Sequence, residues 1–215
     1  MSDLELRRAI LDELEFQPHI DARLIGVAIE DGVVCLTGHV GTYAEKFAAE
    51  RSVKSVKGVK ALVEEIEVRA DGEPALGDEV IASRCLDVTH WDSAIPAERI
   101  QIKVQQGWVT LEGEVDWQYQ KEAAESAVRK LAGVVRIDNL LVVRPTTSPG
   151  DIKAKVEAAF ARNAALNTRQ IRIAVEGKTV RLEGYVHLWL ERKAAENTAW
   201  AVPGVSRVEN DLLIA

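Results

Sequence analysis

The chain has 215 residues, 47% of them hydrophobic and 28% charged, a balance that excludes disorder as the global state. Its formal net charge of −7 argues against a general nucleic-acid binder, which needs a basic surface to displace counterions from phosphate. No apolar run approaches the roughly 18 residues of a membrane span, so no transmembrane segment is expected.

The N-terminal stretch "MSDLELRRAILDELEF" sets Asp3, Glu5, Asp12 and Glu13 among its apolar positions. A secretory leader needs a basic start and an unbroken apolar stretch. The expected location is therefore the cytoplasm, or the periplasm if a leader has been removed. Leu6, Ile10 and Leu14 recur every four residues and predict a helix. Alternation in Ile25-x-Val27-x-Ile29 predicts a strand, Asp31-Gly32 a tight hairpin turn, and "VVCLTGHV" (33–40) the returning strand. "TYAEKFAAERSVKSV" then reads as an amphipathic helix, stopping at Gly58 as a left-handed cap. "LVEEIEV" is the last strand.

The same order recurs twice. "WVTLEGEV" (108–115) and "TVRLEGYV" (179–186) match the returning strand, so Gly38, Gly113 and Gly184 are equivalent. Twenty residues after each comes a Gly-Val pair, at Gly58, Gly133 and Gly204. Ile81 and Cys85, then Ile152, Val156 and Phe160, supply the first helices; the hairpin turns are read as Gln106-Gly107 and Glu176-Gly177. The second helices are "WQYQKEAAESAVRKL" and "LWLERKAAENTAWAV". "RADGEPALG" (69–77) and "RPTTSPG" (144–150) have the composition of linkers. Domains are thus expected at 1–69, 77–144 and 150–215. The fold class is α+β: three tandem αββαβ domains, each a three-stranded mixed sheet with two helices on one face. Gly38 and its equivalents are expected to let the chain turn into the second helix without a Cβ clash.

A turn of Asx or Gln with Gly, "V-x-L-x-G-x-V", a helix with "A-A-E" and then "G-V-x-x-V-x-N-x-L" together resemble the BON domain. "GVVRIDNLLV" and "GVSRVENDLLI" carry the last part closely; "GVKALVEEIEV" does so more loosely, with Glu64 where Asn139 and Asn210 stand. The resemblance covers all three repeats. BON domains are known mainly from bacterial stress and envelope proteins, among them osmotically induced periplasmic proteins, secretins, lipoproteins and channels. The resemblance implies phospholipid binding or protein contacts at membranes, and no catalytic residues.

The residues themselves offer little chemistry. His19, His39, His90 and His187 share no repeat position and no metal-ligand spacing; no phosphate-cradling, dinucleotide or nucleophile motif occurs. No enzyme activity, metal or cofactor is expected. Glu112 and Glu183 recur in "LEG", but Thr37 stands there in the first repeat, so a solvated strand end is expected. Cys85 replaces Ile10 and Val156 in a helix core and reads as a buried apolar residue. Cys35 faces outward.

Binding surfaces are therefore the candidates. On the sheet face turned away from the helices, the first repeat presents Leu24, Gly26, Ala28, Val33, Cys35 and Val63. Such an apolar face is expected to be covered by the second repeat or by a second chain. The second repeat presents Trp108, Leu140 and Val142, and Trp117 and Tyr119 open its second helix; with the first-repeat residues these form a candidate protein interface. Residues 1–70 carry −4, 71–144 carry −5 and 145–215 carry +2. Lys153, Lys155, Arg162, Arg169, Arg172, Lys178 and Arg181 are accordingly the candidate site for anionic phospholipid or a membrane surface. The expected function is a non-catalytic binding module of the bacterial stress or envelope-maintenance type, recognising phospholipid head groups or a protein partner. A cytoplasmic chaperone-like or scaffold protein with no lipid role is the alternative.

Overall fold

A computed structural model describes residues 2–69, 76–145, 152–163 and 170–214. Most of the two stretches with linker composition, 70–75 and 146–150, lies outside the described residues. The first repeat is α1 (Asp3–Glu15), β1 (Ile25–Glu30), β2 (Val33–Val40), α2 (Tyr43–Ser55) and β3 (Ala61–Val68). The second is α3 (Asp78–Trp91), β4 (Ile100–Gln105), β5 (Trp108–Val115), α4 (Gln118–Arg129), β6 (Arg136–Asn139) and β7 (Val142–Val143). The third is α5 (Ile152–Arg162), β8 (Ile171–Glu176), β9 (Thr179–Val186), α6 (Trp189–Trp200) and β10 (Arg207–Ile214).

Each repeat builds its own mixed sheet around the returning strand. β2 pairs antiparallel with β1 and parallel with β3, and β9 does the same with β8 and β10. In the second repeat the third strand is interrupted at Leu140 and Leu141, so β6 and β7 both pair with β5. The four-residue apolar spacing does fix the first helices: Leu6, Ile10, Leu14, Ile81, Cys85, Ile152, Val156 and Phe160 are all buried. Period-two alternation buries Val34 and Leu36, with Val109, Leu111, Val180 and Leu182 as their counterparts. Helices and strands thus seal one face of each sheet.

Three details depart from the sequence reading. The third hairpin turns on Gly177-Lys178, because Glu176 is still paired with Thr179. Gly177 has positive φ (60°), as suits the first central position of a type II′ turn, whereas Asp31-Gly32 (52°, 82°) and Gln106-Gly107 (53°, 74°) form type I′ turns. The second helices end at Ser55, Arg129 and Trp200, so Gly58, Gly133 and Gly204 lie in the following turn rather than at the cap. Those glycines do have positive φ (100°, 89°, 97°). They carry the chain over the hairpin turn: Lys60, Val135 and Ser206 donate their backbone N–H to the carbonyls of Gly32, Gly107 and Lys178 at 2.9–3.0 Å. Finally, Gly38, Gly113 and Gly184 sit inside their strands, before any turn into the helix. A Cβ there would lie 2.0, 2.1 and 2.0 Å from the carbonyl oxygens of Leu24, Arg99 and Gln170. The repeated glycine is required by close backbone approach.

Two compact units divide the chain, Met1–Glu114 with Tyr119–Val142 and Val115–Gln118 with Val143–Ala215. In the first unit the first two repeats meet through helices. The Arg129 guanidinium on α4 lies over the Phe47 ring on α2, its Cζ 3.4 Å from the centroid. Arg129 also binds Glu125 at 2.6 Å. Nearby, burial and the Glu125 charge push the Tyr43 hydroxyl up in pKa.

Candidate binding surface

The open face of the first sheet follows from strand register. Cys35 lies between Ala28 and Val63, and Val33 lies between Glu30 and Ala61. Leu24, Val33 and Val63 are 37%, 41% and 44% exposed, Ala28 is exposed and Cys35 half-buried. The expected cover by the second repeat is therefore absent. That repeat meets the first through α2, which packs on the opposite, helical side of the sheet, and among the described residues of this chain the apolar face is left exposed.

The second repeat's candidates do not gather into one patch. Trp108 is half-exposed on the open sheet face, with the Arg136 guanidinium 4.2 Å from its ring centroid. Leu140 and Val142 are exposed along the interrupted strand. Tyr119 is exposed on α4 and Trp117 half-buried before it, so neither belongs to that sheet row. Sequence reasoning missed a groove of about 830 Å³ between α3 and α4, lined by Arg84, Asp87, Ala123, Ala127, Lys130 and Trp91 among others. Trp91 is 89% exposed, and an exposed tryptophan closing a helix was the only sequence signal for it.

The third repeat distributes its cations. Lys153, Lys155 and Arg162 are exposed on α5 and form no ion pair among the described residues. Lys178 is exposed at the hairpin turn, and Arg169 lies outside the described residues. Arg172 and Arg181 are on the sheet and already matched: Arg172 stands 3.6 Å from Glu183 and Arg181 2.7 Å from Glu209, with Arg207 also on Glu209 at 3.1 Å. The Arg181 hydrogen bond holds the Glu209 carboxyl below its ordinary pKa. Arg192 serves the fold, reaching the Leu212 and Asn210 carbonyls at 3.1 and 2.6 Å. The candidate lipid residues thus lie partly on a helix and partly on an ion-paired sheet.

Among the described residues no group of three or more His, Cys, Asp and Glu side chains could hold a metal ion. No helix among them is long and apolar enough to cross a membrane. Cys85 is fully buried, and burial pushes its thiol pKa up to about 11.

Three αββαβ repeats, each with one sheet face sealed by helices and the other left open, define a tandem-repeat protein of small α+β modules. The BON domain family matches residues 2–70, 77–145 and 149–215, and the chain belongs to that family. Osmotically-inducible protein Y of Escherichia coli (strain K12) is 27% identical over 143 residues, covering 65% of this chain and 71% of that protein. Two solved structures of CdsD, a structural protein of the type III secretion system of Chlamydia trachomatis, align at far lower likeness. One, of its C-terminal domain, is 12% identical with a TM-score of 0.27 and covers 100% of both chains. The other is 14% identical with a TM-score of 0.26 and covers 98% of this chain and 93% of that one.

Proposed function

We propose that this chain is a non-catalytic binding protein of the stress-related kind, engaging a protein partner through the open sheet face of its first repeat. The carrying observation is the contiguous apolar row of Ala28, Cys35 and Val63 beside Val33, left in water within the chain. An apolar patch fixed on a rigid sheet is what a partner surface buries. Membership of the BON domain family and the similarity to Osmotically-inducible protein Y support the stress setting.

A second reading, binding to anionic phospholipid, is favoured by Lys153, Lys155 and Arg162, exposed on α5 and free of ion pairs among the described residues. Each can contribute on the order of 1 kcal/mol near an anionic surface. The test compares two assays on the whole chain. In the first, suppression of aggregation of a heat-unfolded client is expected in the parent and lost in Val63→Asp. In the second, co-sedimentation is measured with anionic and neutral vesicles at low and high salt. Anionic-only, salt-sensitive sedimentation lost in Lys153→Glu/Lys155→Glu/Arg162→Glu, with no client protection, would replace the first reading by the second.

A further inference from the structure

The open face of the first repeat is bounded at both ends by carboxylates. Glu30 is the cross-strand neighbour of Val33, and Glu65 that of Thr37; the row of Ala28, Cys35 and Val63 lies between them. Both glutamates are exposed and form no ion pair among the described residues. Glu67, one row further, is already held by Arg69 at 2.6 Å. At the other end, Lys60 gives its ammonium to the Asp31 carbonyl at 3.1 Å. Two rows along the strands and two strands across separate Glu30 from Glu65 by roughly 16 Å. The third repeat has the same backbone but a different surface, with Glu183 and Glu209 each matched by arginines.

A partner sealing Val33 and Val63 also strips water from the two glutamates, and an unmatched carboxylate at a dry rim opposes binding. A cation on each side of the apolar contact reverses that sign. A membrane of anionic lipid would be repelled by the same two charges. Resting on the protein-partner reading above, we infer that the segment bound by this face is a polypeptide with a short apolar run flanked on both sides by Lys or Arg.

The probes are two synthetic peptides with the same apolar centre, one flanked by lysines and the other by glutamates, titrated against the whole chain by fluorescence anisotropy. The lysine-flanked peptide is expected to bind at least about tenfold more tightly, to slow alkylation of Cys35, and to lose its advantage in Glu30→Lys/Glu65→Lys, which prefers the glutamate-flanked peptide. Equal binding of both peptides, lost in Val63→Asp, overturns the charge rule and leaves the open-face reading standing. Failure of both peptides to bind, with client protection still lost in Val63→Asp, has the same meaning. Binding of the lysine-flanked peptide that neither Val63→Asp nor the charge reversal changes places the contact elsewhere and overturns both.

Discussion

Cys85 occupies the helix position that Ile10 and Val156 fill in the other repeats, and its thiol is fully buried. Ionising it would place a charge in an apolar core, which is why its pKa rises to about 11 from an ordinary 9.0. The folded state therefore prefers the protonated thiol. Its contribution is intact below the unfolded pKa and is lost as pH rises through the folded value. Alkaline destabilisation between about pH 9 and 11 should be steeper in the parent than in Cys85→Ala, measured by urea unfolding across that range. Parallel slopes would show that burial does not control this thiol. The core role of Cys85 was legible because a repeat supplies its own comparison: a position held by Ile and Val elsewhere is an apolar position. The reason for Gly38 was not legible, since the Leu24 carbonyl it accommodates lies across the hairpin and no local pattern marks it.

At the scale of elements, the Asn of the third strand ties that strand to the second helix. Asn139 donates to the Lys121 carbonyl and the Glu125 carboxylate at 2.9 and 3.1 Å and accepts from Leu141 N–H at 3.3 Å. Asn210 repeats the pattern with the Arg192 carbonyl, Glu196 and Leu212. In the first repeat Glu64 accepts from Ile66 N–H at 2.8 Å and pairs with Lys46 at 3.1 Å, both side chains 23% exposed. The departure from the family pattern is thus compensated by a half-buried ion pair. Lys46→Ala should cost about 1–2 kcal/mol because it leaves Glu64 unpaired. In the Glu64→Asn background the same substitution should cost clearly less, since an amide at that place can use the helix carbonyl. A double-mutant cycle by urea unfolding measures the difference, and equal costs in both backgrounds would sink the compensation. The substitution was visible in the sequence, but its partner was not, because Lys46 is 18 residues away in the chain. The same distance problem hid the clamp at the other end of the sheet. There Asp3 accepts from the N–H of Asp31 and Gly32, and Asp78 from those of Gln106 and Gly107, each tying a helix start to a hairpin turn.

Across the whole molecule, repeats of about 65 residues are near the lower limit for a self-sufficient core, so contacts between neighbours weigh heavily in their stability. In the first compact unit that contact centres on Arg129 and Phe47. The Arg129 Nε is buried with no hydrogen-bond partner among the described residues, and the guanidinium depends on the ring face beneath it and on Glu125 beside it. Desolvated cation–ring contacts are worth about 2 kcal/mol, and removing the ring also leaves a cation over a void. Phe47→Ala should therefore weaken the coupling of the first two repeats without touching either core, since Phe47 belongs to the surface of α2 that faces α4. Hydrogen exchange reads this directly. Amides of α2 and α4 should both lose protection by about tenfold or more, and those of α6 in the other compact unit should not change. Loss confined to α2 would mean that the ring stabilises only its own repeat, and the two repeats would then have to be treated as independent modules.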